Sequence, residues 1–281
     1  MNDKLRILLL ILTILGAPLS GSAFGADAGT IPPGEAGAKA ALEKSPRHHE
    51  WVDIAVPGRS AKVSVFVAYP ERKDKAPVVL VIHEVFGLTD WVRGVADRLA
   101  GDGFIAIAPD MLSGKGPGGG GTEKFASRDD VVKAVRDLSG TDVAAVLDAA
   151  GRYGKGLPAA RDKFATIGFC WGGAQSFLYA TVQPGLNAAV VYYGTSPASE
   201  ALKAVKAPVL GLYGEDDARV NATVGPAEEK MKELGKTFIT RTYKGAGHGF
   251  LRAQDDRAGA NLEASRKAWP ETIEHLKKYL E

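Results

Sequence analysis

The sequence predicts an α/β fold, a mostly parallel twisted sheet flanked by helices on both faces. Three observations carry that expectation. Val78 to Ile82 and Phe104 to Ala108 are continuous apolar runs, as in strands covered on both sides. From Trp51 onward, runs of this kind alternate with segments of helical period, the pattern of a parallel sheet wrapped by helices. Between Phe164 and Gly173 a β-forming run breaks at Gly168 and restarts at Gly172 into Ala174, Leu178 and Thr181 at helical spacing. That reads as strand, tight turn and helix.

The 281 residues can hold one ordinary α/β domain with extras, and 45% hydrophobic content supplies a large core. A formal net charge of +2 gives no electrostatic case for nucleic acid. Cys170 is the only cysteine, which excludes an intrachain disulfide and a cysteine-based zinc site.

Taken in order, Lys4 and Arg6 precede the apolar run Ile7 to Leu19, and small residues follow. This is the three-part order of a signal peptide over residues 1–25, cleaved after Ala23 or Gly25. It predicts export, to a bacterial periplasm, with an uncleaved anchor as the alternative. Residues 26–50, rich in Gly, Ala, Pro and Lys, read as a flexible leader. His48 and His49 within it are adjacent and cannot face one metal from a regular element, so they read as surface residues. The catalytic domain is expected over 51–281.

In that domain Ala61 to Tyr69 alternates like an antiparallel strand, and Val78 to Ile82 is buried. Thr89 or Asp90 can cap a helix carrying Val92, Val95 and Leu99. Phe104 to Ala108 follows, then helical patterns at Asp129 to Leu138 and Asp142 to Tyr153. Ala188 to Tyr193, Val209 to Tyr213 and Phe238 to Tyr243 supply further strands. Helices are expected near Ala201 to Val205, Pro226 to Leu234 and Asn261 to Leu280. Ser113 to Gly121 is glycine-rich but lacks the order of a phosphate loop. It reads as a flexible loop beside the site entrance.

The chemistry collects at strand ends. Gly168-Phe169-Cys170-Trp171-Gly172 fits the nucleophile elbow G-x-S-x-G with cysteine replacing serine. The competing reading of Cys170 is a small buried hydrophobe. Gly214-Glu215-Asp216-Asp217 and Gly247-His248-Gly249 follow two later strands. Nucleophile, acid and base then occur in the chain order of α/β-hydrolases. Asp217 is the preferred acid, with Glu215 and Asp216 read as solvated turn residues. His83-Glu84-Val85-Phe86-Gly87 forms a strand-to-loop corner whose Val85 N–H, with that of Trp171, can face an oxyanion.

These motifs, with Tyr192-Tyr193-Gly194 and His248-x-Phe250, resemble the dienelactone hydrolase (carboxymethylenebutenolidase) family of the α/β-hydrolase superfamily, over about Val52 to Leu280. The resemblance implies Cys170, Asp217 and His248 as a triad and Glu84 as the residue that activates the thiol. It implies Val85 and Trp171 as the oxyanion hole. It also implies two arginines on a substrate carboxylate. Arg252 matches one; after Pro109-Asp110, where the second is expected, Lys115 stands instead and supplies charge without a bidentate fork. The activity expected is hydrolysis of lactones or activated (enol) esters through a thioester, by a monomer needing no metal or organic cofactor. A general carboxylesterase or thioesterase is the alternative, and a non-catalytic binding protein a more remote one.

Overall fold

The computed structural model describes residues 31–281. The signal peptide expected at 1–25 and the first residues of the expected leader lie outside the described residues. Strands β1 (His49–Ile54), β2 (Val63–Ala68), β3 (Ala76–Ile82), β4 (Ile105–Pro109), β5 (Ala160–Phe169), β6 (Ala188–Tyr192), β7 (Val209–Asp216) and β8 (Phe238–Gly247) form one sheet. Its order is β1-β2-β4-β3-β5-β6-β7-β8. The pairs β1–β2 and β2–β4 are antiparallel, and every pair from β4–β3 to β7–β8 is parallel. Hence β4, β3, β5, β6, β7 and β8 end side by side on one edge, which is where an open α/β sheet binds ligands.

Eight α-helices complete the described residues: α1 (Glu35–Glu43), α2 (Asp90–Gly101), α3 (Arg128–Arg136), α4 (Gly140–Gly156), α5 (Trp171–Val182), α6 (Ala218–Asn221), α7 (Val224–Glu233) and α8 (Ala260–Leu280). The strand period of two sorts the core. Val79, Val81, Ala106 and Val190 face one layer with residues of α2 and α8. Val78, Leu80, Ile107 and Val191 face the other with residues of α4, α5 and α7. All seven residues of β3 and all five of β6 are buried, which is why these strands read as continuous apolar runs. Thr89 caps α2 by accepting a hydrogen bond from the Val92 N–H.

Two expectations are corrected. The leader is not loosely held up to residue 50: Glu35–Glu43 is helical and His49 already pairs with Ala68 in the sheet. Helix α1 docks on α2, with Ala38 fully buried. Gly94 makes the room, since a Cβ there would stand 3.2 Å from Pro33 and 3.8 Å from Ala38. The connection to β1 is fixed by Asp97 of α2, which accepts hydrogen bonds from Arg47 Nε and His49 Nε2, both at 2.7 Å, and from the Ser45 hydroxyl. His49 is therefore a partner in this cluster, whereas His48 is exposed.

The glycine loop, expected to be flexible, is instead pinned. Asp110 accepts hydrogen bonds from the Thr122 N–H and hydroxyl, both at 2.7 Å, and from the Leu112 N–H at 3.0 Å. The Thr122 oxygen in turn accepts from the Leu88 N–H at 3.1 Å. The loop is thereby tied to the corner after β3.

Docking of α1 has a direct test. Ala38→Asp puts a carboxylate at a contact with no room for it, where desolvating the charge costs several kcal/mol. Amide exchange over 35–43 should then accelerate by about tenfold or more while β3 and β5 stay protected. Unchanged exchange in α1 would show that its packing on α2 does not hold it.

Candidate active site

The edge where six parallel strands end carries a sharp corner between β5 and α5. Cys170 occupies it at φ 55°, ψ −115°, a backbone region that a side chain makes costly. Its N–H donates to Tyr192 O at 3.0 Å, and its carbonyl accepts from the Ala174 N–H at 3.1 Å. The neighbouring glycines are dictated by space. A Cβ at 168 would lie 1.9 Å from Gly172 O, and one at 172 would lie 2.3 Å from the carbonyl oxygens of both Ile82 and His83. One at 173 would meet Tyr192 O at 2.6 Å. The first turn of α5 thus rests on the ends of β3 and β6, with the Trp171 N–H at its open amino end.

The loops after β7 and β8 supply an acid and a base. His248 Nδ1 donates to Asp217 Oδ2 at 2.6 Å, and Asp217 is buried. The other ring nitrogen is left for Cys170, a close electrostatic neighbour of His248. The two other acids of the β7 turn are committed elsewhere: Glu215 accepts from the Gly245 N–H at 2.9 Å, and Asp216 pairs with Arg257 at 2.6 Å. The His248 loop is held by Asn261, whose amide oxygen accepts from the Gly247 N–H and whose amide nitrogen donates to Ala253 O. Tyr193, itself at φ 40°, packs edge-on against the His248 ring with centroids 5.2 Å apart. Its hydroxyl is buried and finds no partner among the described residues.

The corner after β3 brings a second carboxylate. Glu84 is buried and accepts from Arg252 Nε at 2.6 Å. Burial pushes its carboxyl above the usual range, against the pull of that guanidinium. His83, fully buried and stacked on Trp171, accepts from the Met111 N–H at 3.3 Å through Nε2. Nδ1 must then carry the proton, and it donates to Glu84 O at 2.7 Å. That carbonyl and the Val85 N–H belong to one planar peptide, so His83 also sets the direction of the Val85 donor.

Among the sequence candidates the structure groups Cys170, Asp217, His248, Glu84 and Arg252, with the backbone of Val85 and Trp171 on the adjoining corners. Lys115 is not among them. It pairs with Asp142 at 3.7 Å, a carboxylate shared with Arg59, and touches neither Arg252 nor Glu84 among the described residues. A cation absent from the sequence reading stands there instead: Arg128, at the start of α3, lies 3.6 Å from the centre of the Phe86 ring. No motif flags it, because it enters from the far end of the glycine loop. A cavity of about 690 Å3 opens beside that loop and is lined by none of Cys170, Asp217 or His248. The chemistry, not cavity size, locates this site.

A mostly parallel sheet with this cysteine corner, and with an acid and a histidine after the two last strands, defines a hydrolase of the α/β-hydrolase fold. The comparisons with known proteins narrow the class. The model of the dienelactone hydrolase family matches residues 63–280, and the chain belongs to that family. A Methylorubrum extorquens protein named "Putative carboxymethylenebutenolidase" is 30% identical over 240 residues, covering 81% of this chain and 80% of that protein. One of the same name from Saccharolobus solfataricus is 28% identical over 250 residues, 78% of this chain and 94% of that protein. Among solved structures, a dienelactone hydrolase described as putative, from Klebsiella pneumoniae, superposes with a TM-score of 0.70 at 28% identity, over 83% of this chain and all of that one. The protein is accordingly a dienelactone-hydrolase-like enzyme acting on ester bonds of small molecules.

The His248 pair generates a pH prediction. Burial disfavours the imidazolium, but the hydrogen bond to Asp217 and the neighbouring Cys170 outweigh it, and His248 is pushed up to about 10. A value raised on folding means that the proton stabilises the fold fully below about pH 6.5, and that this contribution is lost as pH rises through about 10. The ring is 34% exposed, so solvent screening reduces the effect to roughly 1 kcal/mol. The Tm advantage of wild type over His248→Gln should therefore shrink by about 2–4 °C between about pH 6.5 and pH 10. A constant advantage would show that His248 holds no proton of this kind in the folded protein.

Proposed function

We propose that the chain hydrolyses lactones or activated (enol) esters through a Cys170–His248–Asp217 triad and a thioester intermediate. The observation that carries the reading is the strained Cys170 corner beside a histidine whose second nitrogen is fixed by a buried carboxylate. Sγ attacks the carbonyl carbon with the proton of the Cys170–His248 pair already resting on His248. The oxyanion is met by the N–H groups of Val85 and Trp171, which find no acceptor among the described residues. Collapse of this intermediate breaks the acyl C–O bond and expels an enolate or alkoxide, which His248 can protonate. His248 then takes a proton from water as it attacks the thioester, and the carboxylic acid leaves with Cys170 restored. Asp217 holds the imidazole in the required tautomer and offsets its charge. Glu84 supplies a second proton acceptor near the thiol once it leaves Arg252. An enolate departs without strong protonation, which favours lactones and enol esters over alkyl esters. The relatives named carboxymethylenebutenolidase support the same substrate class.

A panel of enol lactones, aryl esters, thioesters and alkyl esters tests the reading. Turnover should favour the activated oxygen esters over alkyl esters by about a hundredfold, and Cys170→Ala should lose about a thousandfold or more. Thioesters as the best substrates would point to a general thioesterase, and turnover unaffected by Cys170→Ala would remove the triad. We further propose export to a bacterial periplasm, on the basic, apolar and small-residue order of residues 1–25. Mass spectrometry of secreted protein should give a mature N-terminus between about Phe24 and Gly29. Intact Met1 in the membrane fraction would mean an anchor.

A further inference from the structure

Beside the nucleophile corner, two guanidinium groups converge on one carboxylate of the chain's own N-terminal segment. Arg252 holds Glu84 with Nε and reaches Glu35 with Nη1, while Arg128 Nη2 lies 3.3 Å from the other oxygen of Glu35. Both arginines rest on the same aromatic ring, 5.1 Å and 3.6 Å from the centre of Phe86, so neither relies on Glu35 alone for its position. The arrangement is an assembled carboxylate seat, and it is filled from within. It adjoins the reacting groups: a Cβ at Gly249, next to His248, would stand 3.4 Å from Arg252 Nη2.

The two carboxylates on Arg252 differ in how easily they leave. The side chain of Glu84 is 3% exposed and that of Glu35 is 41% exposed. Glu84 would leave one buried site for another, whereas Glu35 can turn into water and recover its hydration. The backbone need not follow. The Glu35 N–H donates to Arg252 O at 2.9 Å, Gln254 holds Pro32 O at 2.9 Å, and Pro33 fills the notch above Gly94. The side chain is thus a movable group on a fixed strap.

We infer that Glu35 is the specificity-determining residue of this site: it occupies the carboxylate seat formed by Arg252 and Arg128, and a substrate bearing a carboxylate on its acid portion binds by displacing it. In wild type this competition narrows selectivity toward uncharged esters, and loss of the Glu35 charge opens the seat. The inference rests on the proposed ester hydrolysis at Cys170, so its test separates the two.

The readout is the ratio of kcat/KM for the 4-nitrophenyl monoester of adipic acid to that for its methyl-capped, uncharged counterpart. Glu35→Gln should raise this ratio by about tenfold, the worth of one charge-assisted contact no longer contested. Adding Arg128→Gln should return it toward the wild-type value. A merely structural role would move both rates together and leave the ratio alone; a change smaller than about threefold in Glu35→Gln overturns the inference. Failure of the underlying reading shows separately, as no turnover of the uncharged ester or as turnover that survives Cys170→Ala. In that case calorimetry with adipate decides the matter without catalysis: Glu35→Gln should bind it about tenfold more tightly than wild type, and equal affinity overturns the proposal.

Discussion

The structure depends on the backbone of Cys170. A non-glycine residue at positive φ is tolerated only where its surroundings leave no alternative, and here they do not. Its N–H and carbonyl are both bonded, and β5 and α5 meet over glycines that have no room for a methyl group. The close approach of α5 to the carbonyls of Ile82, His83 and Tyr192 is what brings three strand ends to one point. The sheet order then places β7 and β8 beside β6, so the loops bearing Asp217 and His248 arrive at the same edge. One tight corner converts a chain order into a three-dimensional cluster.

Around that corner, charge alternates through Arg128, Glu35, Arg252 and Glu84. The sequence of signs matters because Glu84 is buried and Arg252 half-buried. An uncompensated guanidinium or carboxylate there would carry several kcal/mol of desolvation cost, so each is matched by the next until the chain of charges reaches solvent at Glu35 and Arg128. Phe86, on the same corner as Glu84, gives both arginines an aromatic surface. The segment 83–88 therefore serves the elbow, the carboxylates and the glycine loop at once.

Much of this was legible in the sequence, for reasons that also explain what was not. β3 and β4 are apolar without interruption because both faces are covered, and the elbow announces itself because sterics demand glycine on both sides of Cys170. Asp217 could be preferred over Glu215 and Asp216 only by pattern; the structure separates them by giving Gly245 and Arg257 as partners to the other two. α1 and β1 were hidden because their stability comes from elsewhere. α1 buries little beyond Ala38, and β1 is an edge strand whose approach is held by Asp97, about fifty positions away. Arg128 was invisible for a like reason: its role is created by a loop that returns it to Phe86. Lys115 was the candidate substitute for the arginine the family pattern places after Pro109-Asp110, yet it pairs with Asp142. A position along the chain does not fix where a long side chain ends.

The least conspicuous contributor is His83. Its burial lowers its tendency to take a proton, and the Met111 N–H needs a lone pair on Nε2, so both influences select the neutral ring with hydrogen on Nδ1. That hydrogen holds the Glu84 carbonyl, and peptide planarity transmits the constraint to the Val85 N–H on the opposite side of the same unit. A donor that must meet charge only as it develops is useful to the degree that it is already aimed. Here the aim is set by a fully buried side chain, through two hydrogen bonds and one rigid bond. The same imidazole stacks on Trp171, whose N–H is the other donor of the proposed oxyanion site, so one buried ring adjoins both of its halves.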